Sequence, residues 1–185
     1  MKILEDFIYK KCCFTGYRPQ KFPFPLKSEN ADYEVLCRNL TTTISALIED
    51  ECAVFYTGMA IGFDIIASEI VIELKKEHSN IKLVAVIPFE DQEKSFSYNW
   101  KSRYNKVLSA CDEVIVLSKN YHVGCFQNRN KFMVDNSDYL VTWYDGKQGG
   151  TRNTLKYAQN KNRYIINVNT EYLKEFNNLQ EKIDI

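Results

Sequence analysis

Two glycine turns in this chain have the residue types and spacing to hold an anion. Gly58-Met59-Ala60-Ile61-Gly62-Phe63-Asp64 follows the apolar run Ala53-Val54-Phe55-Tyr56 and leads into a helical pattern. Asp145-Gly146-Lys147-Gln148-Gly149-Gly150-Thr151 follows Tyr139 to Tyr144 and does the same. A strand, a glycine turn and a helix aim free backbone N–H groups and the positive end of a helix at one point. Glycine permits positive φ there and lets a ligand approach the backbone closely. Two such turns imply a ligand held between two strand ends. The plainer reading of each is a tight strand-to-helix turn with no ligand.

The neighbours of these turns supply candidate polar groups. Thr15-Gly16-Tyr17-Arg18-Pro19 closes an earlier strand, and the Arg18 guanidinium matches two phosphate oxygens at once. Asp64, in the first turn of its helix, is either a partner of the helix dipole or an acceptor for ribose hydroxyls. Glu69 lies five residues on, about 140° round the helix, so the two carboxylates do not form a pair on one face. Thr151 is placed to cap a helix or to bind an oxygen. Gln127, Arg129 and Asn130 sit on a polar helical stretch and offer hydrogen bonds to a base edge or a phosphate, or simply a solvated face. Trp143 ends a strand, where it stacks on a base or belongs to the core. Phe89 to Trp100 reads as a lid or a long connection.

These residues need a frame, and the hydrophobic pattern describes one. Strands are expected at Cys12–Gly16, Ala53–Thr57, Lys82–Ile87, Glu113–Leu117, Tyr139–Tyr144 and Tyr164–Val168. Helical spacing follows Ser28 (Leu36, Leu40, Ile44, Leu47), follows Gly62, and recurs from Trp100 to Leu108, over 126–136, over 151–159 and from Thr170. This alternation predicts an α/β, Rossmann-like, doubly wound fold: a mainly parallel sheet with helices on both faces. Ligands in such sheets lie beyond the carboxyl ends of the strands, at the switch point. The chain reads as one domain over 1–185, with 1–11 as an N-terminal extension and 170–185 as a C-terminal helix.

Composition narrows the function. Apolar residues make up 45% and charged residues 26%, as in a folded globular protein. Lys plus Arg equal Asp plus Glu at 24 each, and a neutral chain argues against general nucleic-acid binding. Six cysteines without a C-x-x-C pair, and with neither His78 nor His122 near a pair of them, read as buried small residues of a reducing compartment, with no metal site. The acidic start Met1-Lys2-Ile3-Leu4-Glu5-Asp6 does not fit a signal peptide, and no apolar run reaches about 20 residues. The expectation is a cytoplasmic protein with no membrane span.

The ordered set of motifs resembles the YpsA-type proteins of the SLOG superfamily. The resemblance rests on Thr15-Gly16-Tyr17-Arg18-Pro19, on the Gly58 to Glu69 segment, and on Pro88-Phe89 with Gln92 and Trp100. Gln127 to Asn130, Met133-Val134-Asp135 with Ser137-Asp138, and Gly149-Gly150-Thr151 extend it, so that it covers Cys12 to Val168. It implies a Rossmann-like fold related to the LOG phosphoribohydrolases and to DprA, and a site for a nucleotide-derived ligand. Gly62 and Asp64 match the family turn and are first choices for ligand contact. LOG enzymes carry P-G-G-x-G-T-x-x-E, whose glutamate takes part in N-glycosidic cleavage. Thr154 stands at that position here, so the LOG reaction does not carry over.

The preferred expectation is a binding protein for a nucleotide or nucleotide derivative (NAD, ADP-ribose or a nucleoside phosphate), acting as a sensor, regulator or sequestering protein. Contacts fall to Thr15, Gly16, Arg18, Gly58, Gly62, Asp64, Gln127, Arg129, Asn130, Trp143, Gly149, Gly150 and Thr151. The alternative is an N-glycosidic hydrolase, with Asp64 or Glu69 as the acidic group. A third reading is DprA-like binding of single-stranded DNA. A homodimer or tetramer is expected from the family.

Overall fold

The computed structural model describes residues 9–170, in which a single six-stranded sheet carries five α-helices. The strands are β1 (Lys10–Thr15), β2 (Cys52–Thr57), β3 (Lys82–Ile87), β4 (Glu113–Val116), β5 (Tyr139–Thr142) and β6 (Tyr164–Asn167). The helices are α1 (Ala31–Glu49), α2 (Phe63–Leu74), α3 (Tyr98–Ala110), α4 (Cys125–Asp135) and α5 (Gly150–Asn160). Strand order is β4-β3-β2-β1-β5-β6 and every pair is parallel. The expected doubly wound Rossmann-like fold is therefore present. β1 begins at Lys10, two residues inside the span read as an extension. The C-terminal helix expected from Thr170 onward lies almost wholly outside the described residues.

Local chemistry explains the elements. In α1, Leu36, Leu40, Ile44 and Leu47 recur every three or four residues and are all buried. Each such side chain contributes on the order of 1.5–3 kcal/mol by leaving water, an upper estimate. The cap of α1 is Asn30 rather than Ser28, its side chain accepting the Tyr33 amide at 3.0 Å. β3 is buried from Leu83 to Ile87, which accounts for its lack of polar alternation. β4 is an edge strand, so Val114 and Val116 stay about half exposed.

The connections fix where a ligand can sit. β1, β2, β3 and β4 step outward in one direction through α1, α2 and α3, which pack side by side. The chain then returns across the sheet to β5, and α4 and α5 pack together. Right-handed crossovers place these two groups on opposite faces. Direction reverses between β1 and β5, where Thr15 lies opposite Thr142. The loops after β1 and β5 part there and leave room between them.

Candidate functional site

Gly16, directly after β1, is the meeting point of two helix starts. Its carbonyl accepts a hydrogen bond from the Thr151 hydroxyl of α5 at 3.1 Å. The space where its side chain would stand is filled by Phe63, the first residue of α2. Beside this junction lies a cavity of about 340 Å³. Thr15, Gly16, Tyr17 and Arg18 form one wall, Gly150 and Thr151 another, with Asp64, Arg129, Asn130 and Phe126 across from them.

Two charged side chains at the back are almost fully buried: Asp64 at 4% exposure and Arg129 at 5%. Burial pushes the Asp64 carboxyl up to about 6, although Arg129 and Arg18 pull it down and the Ala60 amide donates to it at 3.4 Å. Burial also lowers the Arg129 guanidinium, against the attraction of Asp64, yet an arginine stays charged. Arg129 is held at both ends. Its Nε donates to Asn130 Oδ1 at 2.7 Å and its Nη1 donates to the Gly58 carbonyl. Asn130 passes the link on to the Thr154 hydroxyl at 2.8 Å, and Thr154 donates to the Gly150 carbonyl at 3.0 Å. One chain of hydrogen bonds thus ties the turn after β2, through α4, to the first turn of α5.

Two further cations stand nearer to solvent. Arg18 lies over the Phe126 ring, 5.4 Å from its centroid. Lys21 lines the cavity and reaches the Gln148 carbonyl at 3.5 Å, next to Gly149. Three cations therefore face one carboxyl group. The start of α5 adds to this field. Its N-cap is Gly149, with φ 146° and no side-chain cap. Among the described residues, the amides of Gly150, Thr151 and Arg152 donate to no protein group. Such unpaired amides at the positive end of a helix favour an anion.

The structure brings Thr15, Gly16, Arg18, Asp64, Arg129, Asn130, Gly150 and Thr151 to one cavity. It places the other candidates elsewhere. Gly58 is buried, and its missing Cβ makes room for the Arg129 guanidinium. Gly62 is also a packing position. Its φ is +95°, and a Cβ would meet the Tyr17 carbonyl at 2.5 Å. Gly149 adjoins the cavity, with the Lys21 ammonium where its Cβ would be. Gln127 lines a neighbouring hollow between α4 and α5. Trp143 packs with Phe22 at 4.9 Å and Tyr17 at 5.4 Å and lines a different hollow. Glu69 is held by Arg103 through two bonds, of 2.8 and 2.5 Å, away from the cavity. Lys21 and Phe126 line the cavity without having been read from the sequence as contacts. Lys21 ends a short 3-10 turn, Pro19–Lys21, between β1 and α1.

Comparison with known proteins agrees with the fold. The model of the YpsA family, described as the YspA SLOG family, matches residues 12–176. The chain belongs to this family. A UPF0398 protein of Bacillus thuringiensis (strain Al Hakam) is 26% identical over 177 residues, covering 95% of each chain. The SPbeta prophage-derived protein YoqJ of Bacillus subtilis (strain 168) is 36% identical over 117 residues, which is 57% of this chain and 68% of YoqJ. Among solved structures, DNA processing protein A of Helicobacter pylori, described with a single-stranded DNA binding mode, superposes with TM-score 0.59 at 18% identity. That match covers 90% of this chain and 72% of the other. DprA of Streptococcus pneumoniae gives TM-score 0.54 at 16% identity, covering 85% and 49%. At these identities the likeness concerns the fold. No helix of the described residues is long and apolar enough to cross a membrane.

Proposed function

We propose that this SLOG-family chain binds a nucleotide or nucleotide derivative of the NAD or ADP-ribose kind, as a sensor, regulator or sequestering protein. One observation carries the reading: Arg18, Lys21 and Arg129 converge with the open amide end of α5 on a single cavity that holds one buried carboxyl group. The phosphate meets Gly150, Thr151 and the Arg18 guanidinium. The sugar hydroxyls meet Asp64, which near neutral pH accepts from them and when protonated donates.

The hydrolase alternative has one candidate acid left in the cavity, Asp64, because Glu69 is engaged by Arg103 and Thr154 occupies the position of the LOG glutamate. The single-stranded DNA alternative is supported by the described behaviour of the Helicobacter pylori neighbour, and a net charge of zero weighs against it.

Calorimetric titration with ADP-ribose tests the reading. A charge-assisted contact is worth about 1.5–3 kcal/mol, so Arg18→Ala should weaken binding at least about tenfold. Absence of binding to AMP, ADP-ribose and NAD alike, or equal affinity in Arg18→Ala, contradicts it. Chromatography of the same mixtures for released base separates binding from hydrolysis.

A further inference from the structure

The cavity does not end at Asn130 and Gly150. Beyond them a second hollow of about 280 Å³ runs between α4 and α5, and Phe126, Asn130 and Gly150 line both spaces. The two differ in chemistry. The first is cationic. The second is walled by two aromatic rings, Phe126 from α4 and Tyr157 from α5, with one cation, Lys131, over the Tyr157 ring. Both rings are held in place. The Tyr157 hydroxyl donates to the Asp135 carboxylate at 3.0 Å, and the Lys131 and Lys161 ammonium groups lie 5.6 and 5.4 Å from its ring centroid. Phe126 meets Phe89 edge to face at 5.8 Å, with Arg18 on its face.

Gln127 and Asn153, both exposed, line the same hollow. Among the described residues their side-chain amides have no hydrogen-bond partner. A carboxamide presents a donor and an acceptor side by side, which is the pattern of a base edge. Aromatic faces stack on a base whatever its identity. Gly150, which lines both hollows, is exposed, and a Cβ there would meet nothing within 4 Å. Each hollow is near the lower end of the range of about 300–1,000 Å³ typical for small-molecule sites, so a ligand filling both is longer than a mononucleotide.

We infer that the hollow between α4 and α5 is a nucleobase subsite and that the ligand is a two-armed, pyrophosphate-linked nucleotide. The pyrophosphate crosses the start of α5 at Gly150. One ribosyl arm enters the first cavity toward Asp64. The base-bearing arm lies between Phe126 and Tyr157, with Gln127 and Asn153 at the base edge. This inference rests on the anion-site reading above and adds the second arm to it.

The test compares ribose 5-phosphate with ADP-ribose by calorimetry on the full chain. ADP-ribose should bind at least tenfold more tightly than ribose 5-phosphate. Tyr157→Ala should reduce that advantage to threefold or less, and Asn153→Ala, at an exposed position where folding is not at stake, should reduce it by at least threefold. Photolabelling with 8-azido-ADP-ribose should mark peptides from 125–135 or 150–160. Equal affinity for the two compounds, an advantage that survives both substitutions, or a label confined to other segments overturns the second arm while leaving the anion site in place. Failure of both compounds to bind removes the anion site, and the second arm with it.

Discussion

Two helix starts in this molecule look alike on paper and have opposite fates. α2 follows Gly62 and α5 follows Gly149, each after a strand, and neither has a side-chain cap. At α2 the protein fills the space the glycines leave and pairs the first helical amide, while those of Asp64 and Ile65 have no partner among the described residues. Arg129 occupies the space beside Gly58, the Tyr17 carbonyl closes on Gly62, and the Phe63 amide donates to that same carbonyl at 3.1 Å. At α5 the space beside Gly150 is empty and three amides are unpaired among the described residues. A glycine turn can serve packing or binding. What decides is the partner that the rest of the chain brings to it.

The contrast can be broken most forcefully at Gly62. Alanine there must adopt a φ of +95° and push aside the Tyr17 backbone. Strain of this kind costs about 1–3 kcal/mol, and the displaced carbonyl adds to it, so Gly62→Ala should lower stability to urea by about 3 kcal/mol or more. An unchanged unfolding midpoint would show that the turn is looser than described.

The buried acid that α2 contributes gives the next effect. The folded carboxyl of Asp64 keeps its proton up to about pH 6, whereas the unfolded one releases it near 3.8. Between these values the folded state binds more protons at this site, so the Asp64 contribution to stability falls as pH rises from about 4 to about 6 and is level on either side. The fall should be on the order of 3 kcal/mol in the ligand-free protein. Asp64→Asn should flatten it. A wild-type curve from which this decline is missing would mean that Asp64 is better hydrated or better paired than its burial implies.

Gly150 sharpens the contrast from the other side. An alanine has open space there and sits in the first turn of a helix, so Gly150→Ala should hold or raise stability, by up to about 1 kcal/mol. The same methyl stands where a phosphate would approach and should weaken ADP-ribose binding several-fold. Opposite signs in melting temperature and affinity would distinguish a ligand surface from a packing surface. The smallest effect belongs to Glu69→Gln. This change loosens a partly exposed pair with Arg103, costs less than about 1 kcal/mol, and should alter affinity less than twofold.

The frame was legible because each strand is a short apolar run ended by glycine, proline or a polar turn, and each helix between them repeats at three and four. Boundaries moved by a residue or two where a cap decided them, as Asn30 did for α1. The cavity was legible as far as strand ends and the switch-point rule reach, which covers Thr15, Gly16, Asp64 and Gly150. What stayed hidden depends on contacts distant in sequence. Lys21 reaches the α5 turn across 127 positions, and Arg129 reaches Gly58 across 71. No local pattern separates Gly62, pressed against a carbonyl, from Gly150, which faces open space. Trp143 shows the same limit: a strand-end aromatic reads alike whether it faces a ligand or, as here, packs on Phe22 and Phe24.

The most direct test is a map of amide chemical shifts in the 15N-labelled protein titrated with ADP-ribose. The expected result is the largest displacement at Gly150, Thr151 and Arg152, with smaller changes at Gly16 and Arg18 and little at Gly62 and Phe63. Shifts centred on the Gly62 turn, or none at all at α5, would contradict the assignment of the open helix start as the anion site.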